Sequence, residues 1–272
     1  MWIDLRQQTA NRFTLEIQQP IAVGPPNRMF MFGGVGLGAS LQALQTATGR
    51  QPIWATAQYE NYARPGETVT FTVDERVRGN NVSQARVSAR TEDREILTVS
   101  AALGMRDGLD ISGQWTLAPD APPPESCAPR TQWWNENPDD LHRRIDFRIA
   151  RGSMQGPPED GQPVADGVSV VWARPDPKVL GADYPIDPAF IAVVADFAPS
   201  GIGPALGRLA GGNSLDNSIR FHRMVETSWL LCEIKIHAIH HGFAHGRMHI
   251  FAETGELIAT ASQSLILRLW EE

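Results

Sequence analysis

A proline-rich segment near the middle of the chain restricts its folding more than any other feature. Residues 120–129 contain four prolines, three of them consecutive. Proline fixes φ and lacks a backbone N–H, so neither a helix interior nor a central strand can pass through this segment. We therefore predict a linker at residues 108–130, between an N-terminal domain (residues 1–107) and a C-terminal domain (residues 131–272).

Both halves of the chain contain stretches in which apolar and polar residues alternate, as they do in half-buried β-strands. These stretches are residues 67–74, 82–90 and 96–103 in the first half and residues 230–234, 247–251 and 257–267 in the second. Residues 242–246 are predicted to form a turn. The segments EDREIL at 92–97 and ETGELI at 253–258 lie 161 positions apart, and the same offset superposes other alternating apolar residues. This pattern indicates an internal duplication.

One helix is predicted ahead of the strands in each half. The first covers residues 38–48 and ends at Gly49, which suits the position after a helix. The second is capped by Asp187, has Pro188 in its first position and continues over residues 189–197. A helix followed by a series of antiparallel strands, twice over, predicts an α+β protein.

Composition and charge exclude several functional classes. The chain has 24 Lys+Arg against 31 Asp+Glu, a formal charge of −7, so no nucleic-acid partner is predicted. The apolar run at residues 190–195 stops at Asp196, far short of the roughly 18 residues of a membrane span. The first residues lack the features of a signal peptide, and we expect a cytoplasmic protein. The histidines at 237–249 match no metal-binding spacing, so no metal is predicted.

Five segments in the same order resemble the double-hotdog acyl-CoA thioesterases of the acyl-CoA thioesterase II type. They are residues 32–38 (FGGVGLG), 63–66 (ARPG), 214–223 (SLDNSIRFHR), 229–231 (WLL) and 262–263 (SQ). The resemblance implies a double hotdog, in which two antiparallel sheets each wrap one main helix, with the catalytic side chains in the C-terminal hotdog. It further implies hydrolysis of fatty acyl-CoA to free acid and CoA without a cofactor, and it suggests that the chain forms a homo-oligomer.

The resemblance also assigns catalytic residues. In that family an Asp, a Thr or Ser and a Gln hold the attacking water; the matching positions here are Asp216, His237 and Gln263. A carboxylate can accept the proton of water or attack directly, and both roles stay open for Asp216. His237 departs from the family pattern. Its imidazole could hold the water, but the alternation also allows an exposed strand face for this residue.

The glycine-rich segment is expected to bind the substrate carbonyl. Gly33, Gly34 and Val35 precede the first predicted helix, where backbone N–H groups lack intrahelical partners and carry partial positive charge. The family usually has Gln where this chain has Val35, so a side-chain contact is lost while the N–H remains. We expect these N–H groups to stabilise an oxyanion.

The first half serves as a comparison for the second. At the 161-residue offset, Ala55, Arg76 and Ala102 correspond to Asp216, His237 and Gln263. None of these can repeat the chemistry, which predicts one site per chain.

Two other functions fit the same sequence. A non-catalytic acyl-CoA-binding protein is favoured by His237 and Val35, since both depart from the family pattern. A hotdog hydratase acting on enoyl thioesters would need an Asp–His pair, which Asp216 could form with His222 or His237.

Overall fold

A computed structural model of the protein describes residues 2–106, 108–109, 111–131 and 139–270. The predicted domain boundary at residue 107 lies outside these ranges, as do parts of the predicted C-terminal domain. The strands are β1 Arg6–Thr9, β2 Arg12–Glu16, β3 Ala22–Val23, β4 Phe30–Met31, β5 Pro52–Tyr59, β6 Thr68–Arg78, β7 Val82–Arg90, β8 Glu95–Gly104, β9 Ala128–Pro129, β10 Ile145–Arg151, β11 Val168–Pro175, β12 Ala210–Ser214, β13 Asp216–Phe221, β14 Leu230–His240, β15 Phe243–Ala252 and β16 Leu257–Leu269. The helices are α1 Gly33–Thr48, α2 Pro177–Leu180, α3 Pro188–Ala195 and α4 Ile202–Leu206.

Within the described residues, fourteen strands form one continuous sheet whose pairings are antiparallel. Its main path runs β1-β2-β6-β7-β8-β5-β13-β16-β15-β14-β11-β10-β9, with β12 paired to β16. The series β6-β7-β8-β5 and the series β14-β15-β16-β13 have the same internal order and meet where β5 pairs with β13. The repeated order agrees with the predicted duplication, and the two halves are joined edge to edge in this one sheet.

The two main helices lie next to each other on the inner side of the sheet. Helix α1 packs on β2 and on β5 to β8, whereas α3 packs on α1 and β13. The alternating residues predicted to face inward are buried, as Val69, Phe71 and Cys232 illustrate. Their burial against the helices forms the main core, and burying an apolar side chain of this size contributes about 1.5–3 kcal/mol.

Helix α1 begins at Gly33, five residues before the predicted start. Glycine disfavours a helix, which is why the sequence pattern placed the start at Gly38. Both Gly34 and Gly38 face α3, and a Cβ at Gly38 would lie 2.9 Å from the carbonyl oxygen of Ala189. The glycines are therefore needed for close approach of two helices. The predicted end is confirmed: Gly49 has a φ of 69° and its N–H bonds to Gln45 O.

The predicted start of the second helix is also confirmed. The Asp187 carboxylate accepts the N–H of Phe190 at 2.8 Å, and Pro188 occupies the first turn. The turn predicted at residues 242–246 is shorter than expected, because β15 already begins at Phe243. His241 and Gly242 have φ values of 48° and 78°, as a tight two-residue hairpin requires.

The stretch Pro188–Leu206, which includes α3 and α4, is long and apolar enough to cross a membrane by length and composition alone. However, 83% of the 18-residue window with this character is buried inside the protein. A helix at the centre of a folded domain has this same character, so the stretch is accounted for by the core.

Candidate active site

The start of α1 meets the end of α3 in the interior of the protein. A Cβ at Gly34 would lie 2.8 Å from Val193 Cα and 2.8 Å from Asp196 Cβ, so only glycine fits here. Asp196 directly follows the last residue of α3 and is only 5% exposed. The close helix contact thus brings a buried carboxylate to the N-terminus of another helix, which favours negative charge.

Three N–H donors surround the Asp196 carboxylate. Its Oδ2 accepts the backbone N–H of Gly34 at 2.7 Å; its Oδ1 accepts Gln263 Nε2 at 2.8 Å and Asn217 Nδ2 at 3.3 Å. Burial raises the pKa of Asp196 from its usual value near 4 to about 7, although these three donors oppose the rise. The carboxyl group can therefore change its protonation state near neutral pH, as a general acid or base must.

The sheet supplies two of these donors from neighbouring strands. Asn217 in β13 and Gln263 in β16 are buried on the inward face, at 0% and 2% exposure. Ser218 pairs with Ser262, so the same register carried one residue further brings Asn217 opposite Gln263. The Ser214 hydroxyl donates to Gln263 Oε1 at 3.3 Å, which leaves the Gln263 N–H directed at Asp196. The amide is thus held at both ends.

Asp196 lines a cavity of about 850 Å³ that also reaches the start of α1. Most of its wall is apolar, and six aromatic side chains contribute: Phe30, Phe32, Tyr59, Tyr62, Phe197 and Trp270. Two arginines, Arg28 and Arg268, are also part of the lining. The hydroxyls of Tyr59 and Ser200 are buried and have no hydrogen-bond partner among the described residues. A cavity of this kind suits a ligand with a large apolar part and a few polar atoms.

Of the predicted catalytic residues, the structure brings only Gln263 to this site. Asp216 lies one residue before Asn217, and neighbouring residues of a strand point to opposite faces. Its Oδ1 accepts the backbone N–H of Ser264 at 2.7 Å. This bond ties the start of β13 to β16, and Asp216 does not line the cavity.

His237 lies away from the site. It is the extra residue of a bulge between Ile236 and Ala238 and is exposed, because Ile234 and Ile236 take the inward positions of β14. Partial burial and then the positive charge of Arg247 lower the pKa of His237. His237 therefore lies on an exposed face of β14, which is the alternative that the sequence left open.

The Asp–His pair considered for a hydratase is not formed either. His222 stands six residues beyond Asp216, just past the end of the same strand. Six residues of extended strand span roughly 20 Å. His222 also bonds elsewhere, through its ring to the Thr260 hydroxyl at 3.4 Å.

The predicted N–H donors divide among different partners. Gly34 donates to Asp196, and Val35 donates to Phe32 O at 3.0 Å. Gly33 lines the cavity, and its N–H makes no hydrogen bond within the described part of the chain. Of these three predicted donors, Gly33 is therefore the one whose N–H has no partner among the described residues.

The inward positions of the two halves correspond with a shift of one residue from the predicted offset. A bulge lies between Leu97 and Glu95 in β8, and the matching bulge lies between Ala259 and Leu257 in β16. Counting from the bulges, Gln263 corresponds to Ala101 and not to Ala102. Ala101 pairs with Ala55, so Asn217 corresponds to Ala55. The first half still lacks polar side chains at both positions.

Sequence reasoning missed Asp196 and Asn217. The run at residues 190–195 is wholly apolar and is followed at once by Asp196, and a carboxylate joined to a buried helix is a signal of function. Asn217 could have been found from the alternation of the strand, since it is two residues from the apolar Ile219.

In the described ranges, no three His, Cys, Asp or Glu side chains are grouped so as to hold a metal ion.

Two family models match the chain. The acyl-CoA thioesterase N-terminal domain matches residues 22–104, and the acyl-CoA thioesterase C-terminal domain matches residues 119–267. No curated protein matches the sequence at the threshold of these comparisons.

Solved structures are similar over almost the whole chain. A protein from Novosphingobium aromaticivorans DSM 12444 that is designated a thioesterase shares 31% identity, with 98% of each chain covered and a TM-score of 0.85. A hot dog fold protein of unknown function from Alicyclobacillus acidocaldarius shares 19% identity over 99% of this chain and 97% of its own (TM-score 0.83). Acyl-CoA thioesterase II TesB2 from Mycobacterium marinum shares 23% identity over 99% and 98% (TM-score 0.75). The chain belongs to the acyl-CoA thioesterase family and has an α+β hotdog fold.

Proposed function

We propose that the protein hydrolyses acyl-CoA thioesters in the 850 Å³ cavity, with Asp196 as the general base. The observation that carries this proposal is the buried Asp196 carboxylate, which meets the α1 N-terminus and has a pKa of about 7. The family supplies the reaction, thioester hydrolysis, and the site supplies a group that can accept a proton at neutral pH.

In the proposed reaction, ionised Asp196 removes a proton from water while the water oxygen attacks the thioester carbonyl carbon. The carbonyl oxygen becomes an oxyanion, which the free N–H of Gly33 stabilises. The C–S bond then breaks, CoA leaves as a thiolate, and the acyl group leaves as the free acid. The thiolate takes the proton that Asp196 accepted from water, which returns Asp196 to its ionised starting state.

Gln263 and Asn217 act in this scheme as positioning residues. Both amides donate to Asp196 Oδ1, at 2.8 Å and 3.3 Å, so they fix the direction in which the carboxylate accepts a proton. Both bonds also favour the ionised carboxylate. Without them, burial would keep the carboxyl group protonated up to a higher pH.

The lining of the cavity fits the chemistry of an acyl-CoA. Its mainly apolar wall would hold the acyl group, and Arg28 and Arg268 offer positive charge to the phosphates of CoA. Arg268 is oriented by a hydrogen bond from its Nε to Asn213 Oδ1 at 2.8 Å.

We further propose a double-hotdog architecture, with domains at residues 1–107 and 131–272 and a linker at 108–130. The repeated strand order on either side of the β5–β13 pair supports two hotdog units, and α1 packs on the first of them. The side chains that hold Asp196 come from the second. A cytoplasmic location and further pairing of chains stay predictions.

The test is release of free thiol from a series of acyl-CoAs of increasing chain length, measured for the wild type, Asp196→Asn and Asp216→Asn. Asp196→Asn keeps the shape and removes the base, so kcat is expected to fall about 10²- to 10⁴-fold. Asp216→Asn keeps an oxygen that can accept the Ser264 N–H, so its kcat is expected to stay within a few-fold of the wild type.

Two results would contradict the proposal. A loss confined to Asp216→Asn would move the base to Asp216. Saturable acyl-CoA binding without thiol release from any substrate would instead favour the non-catalytic binding protein. Thermal unfolding of both variants separates lost chemistry from lost fold.

A further inference from the structure

The Tyr59 hydroxyl is buried and makes no hydrogen bond within the part of the chain that the structure describes. Tyr59 is the last residue of β5, in phase with the inward-facing Ala55 and Ala57, and it lines the cavity. A buried hydroxyl without a partner costs free energy, and such groups are rare in folded proteins. Tyr59 is therefore a group whose partner is expected to be a bound molecule.

The ring of Tyr59 lies against the start of α1. A Cβ at Gly33 would be 3.0 Å from Tyr59 Cζ, the carbon that carries the hydroxyl, and 2.8 Å from Asp196 Oδ2. Gly33, Tyr59 and Asp196 thus meet at one point of the cavity wall. A Cβ at position 33 would be too close to both groups, so glycine is what lets Tyr59 and Asp196 approach the start of α1.

Two donors without described partners belong to the residues that meet there. The N–H of Gly33 makes no hydrogen bond with any described residue, and the Tyr59 hydroxyl has none either. Next to them, Asp196 Oδ2 already holds the N–H of Gly34. Two donors beside a general base are the arrangement that a carbonyl oxygen needs as it becomes an oxyanion.

The surroundings keep the phenol in its donor form. Burial, followed by the negative charge of Asp196, raises the pKa of Tyr59 well above its usual value near 10. The hydroxyl is then protonated throughout the pH range in which Asp196 titrates.

Asn217 is the alternative partner within the protein. Its amide is near enough to Tyr59 to favour the ionised phenol slightly, but the two groups make no hydrogen bond of standard geometry. Asn217 Nδ2 donates to Asp196, and Asn217 Oδ1 has no hydrogen-bond partner among the described residues. If Tyr59 bonded to Asn217, the hydroxyl would contribute to stability.

We propose that the Tyr59 hydroxyl is a catalytic hydrogen-bond donor that, together with the Gly33 N–H, binds the thioester carbonyl oxygen and stabilises the oxyanion. The inference rests on the proposed thioester hydrolysis and names a further residue for it. The hydroxyl keeps its proton throughout, so it breaks no bond of its own.

The test compares Tyr59→Phe with Tyr184→Phe. Both variants lose one hydroxyl, but Tyr184 does not line the cavity and its hydroxyl accepts the backbone N–H of Trp2 at 3.3 Å. For Tyr59→Phe we expect kcat to fall about 10²-fold with KM within about twofold, and Tm to stay equal or rise. For Tyr184→Phe we expect the opposite pattern, with kcat unchanged and Tm slightly lower.

Three outcomes would overturn the inference. Unchanged kcat in Tyr59→Phe, while the wild type turns over, would show that the hydroxyl takes no part and would leave the proposed function intact. A lower Tm in Tyr59→Phe would favour the bond to Asn217. No thiol release by the wild type from any acyl-CoA would contradict both the proposed function and the role of Tyr59.

Discussion

The two four-strand series of the sheet have the same order but different side chains at matching inward positions. In β8 and β5 these positions hold Ala101 and Ala55, which only fill the core. In β16 and β13 they hold Gln263 and Asn217, which bond to Asp196. The same strand arrangement thus forms apolar core in the first series and holds a buried carboxylate in the second. The residues at these two positions make the difference. Buried amides are tolerated only where a partner is present, and Asp196 is that partner.

The first half contributes to the site in a different way. It provides the start of α1, where Gly34 donates to Asp196 and the Gly33 N–H is free of described partners. It also provides Tyr59 from the end of β5. The proposed base and its positioning residues therefore come from the second half, while the donors to the oxyanion come from the first. Because each half supplies a different part, the two strand series together would form one site and not two.

The pH dependence of activity gives the largest effect predicted from this comparison. Asp196 accepts a proton only when it is ionised, and its pKa is about 7. We expect kcat/KM to fall about tenfold for each pH unit below 7 and to level off above it. The measurement is thiol release from one acyl-CoA between pH 5 and 9. An inflection near pH 4 would point to a carboxylate outside the buried site.

Replacing Gln263 by alanine makes β16 resemble β8 at this position. The variant loses the 2.8 Å bond to Asp196, so we expect kcat to fall about tenfold and the inflection of the pH profile to move above 7. Gln263→Leu is the matched variant, because it keeps most of the volume and removes the same donor. A normal pH profile in Gln263→Leu would contradict the positioning role.

Sequence predicted the strands and helix ends better than the site. Alternation predicted β7 at residues 82–90, and the Asp187 cap and Gly49 identified two helix ends, because these signals are local. The position of Asp196 depends on α1 packing against α3, a contact between distant parts of the chain. Asp216 was predicted from the family's Ser-Leu-Asp segment, whereas the side chain that reaches Asp196 belongs to the next residue, Asn217, because neighbouring residues of a strand point to opposite faces.

The smallest effect is expected where the two series are alike. His237 and Arg76 each occupy the bulge of an outer hairpin, and both are exposed. His237→Ala and Arg76→Ala should therefore both leave kcat within about twofold of the wild type, and surface substitutions of this kind usually change stability by less than about 0.5 kcal/mol. Thiol release and thermal unfolding of the two variants provide the check. A loss of activity in His237→Ala alone would mean that the second hairpin reaches the substrate, and the exposed face of β14 would then belong to the site.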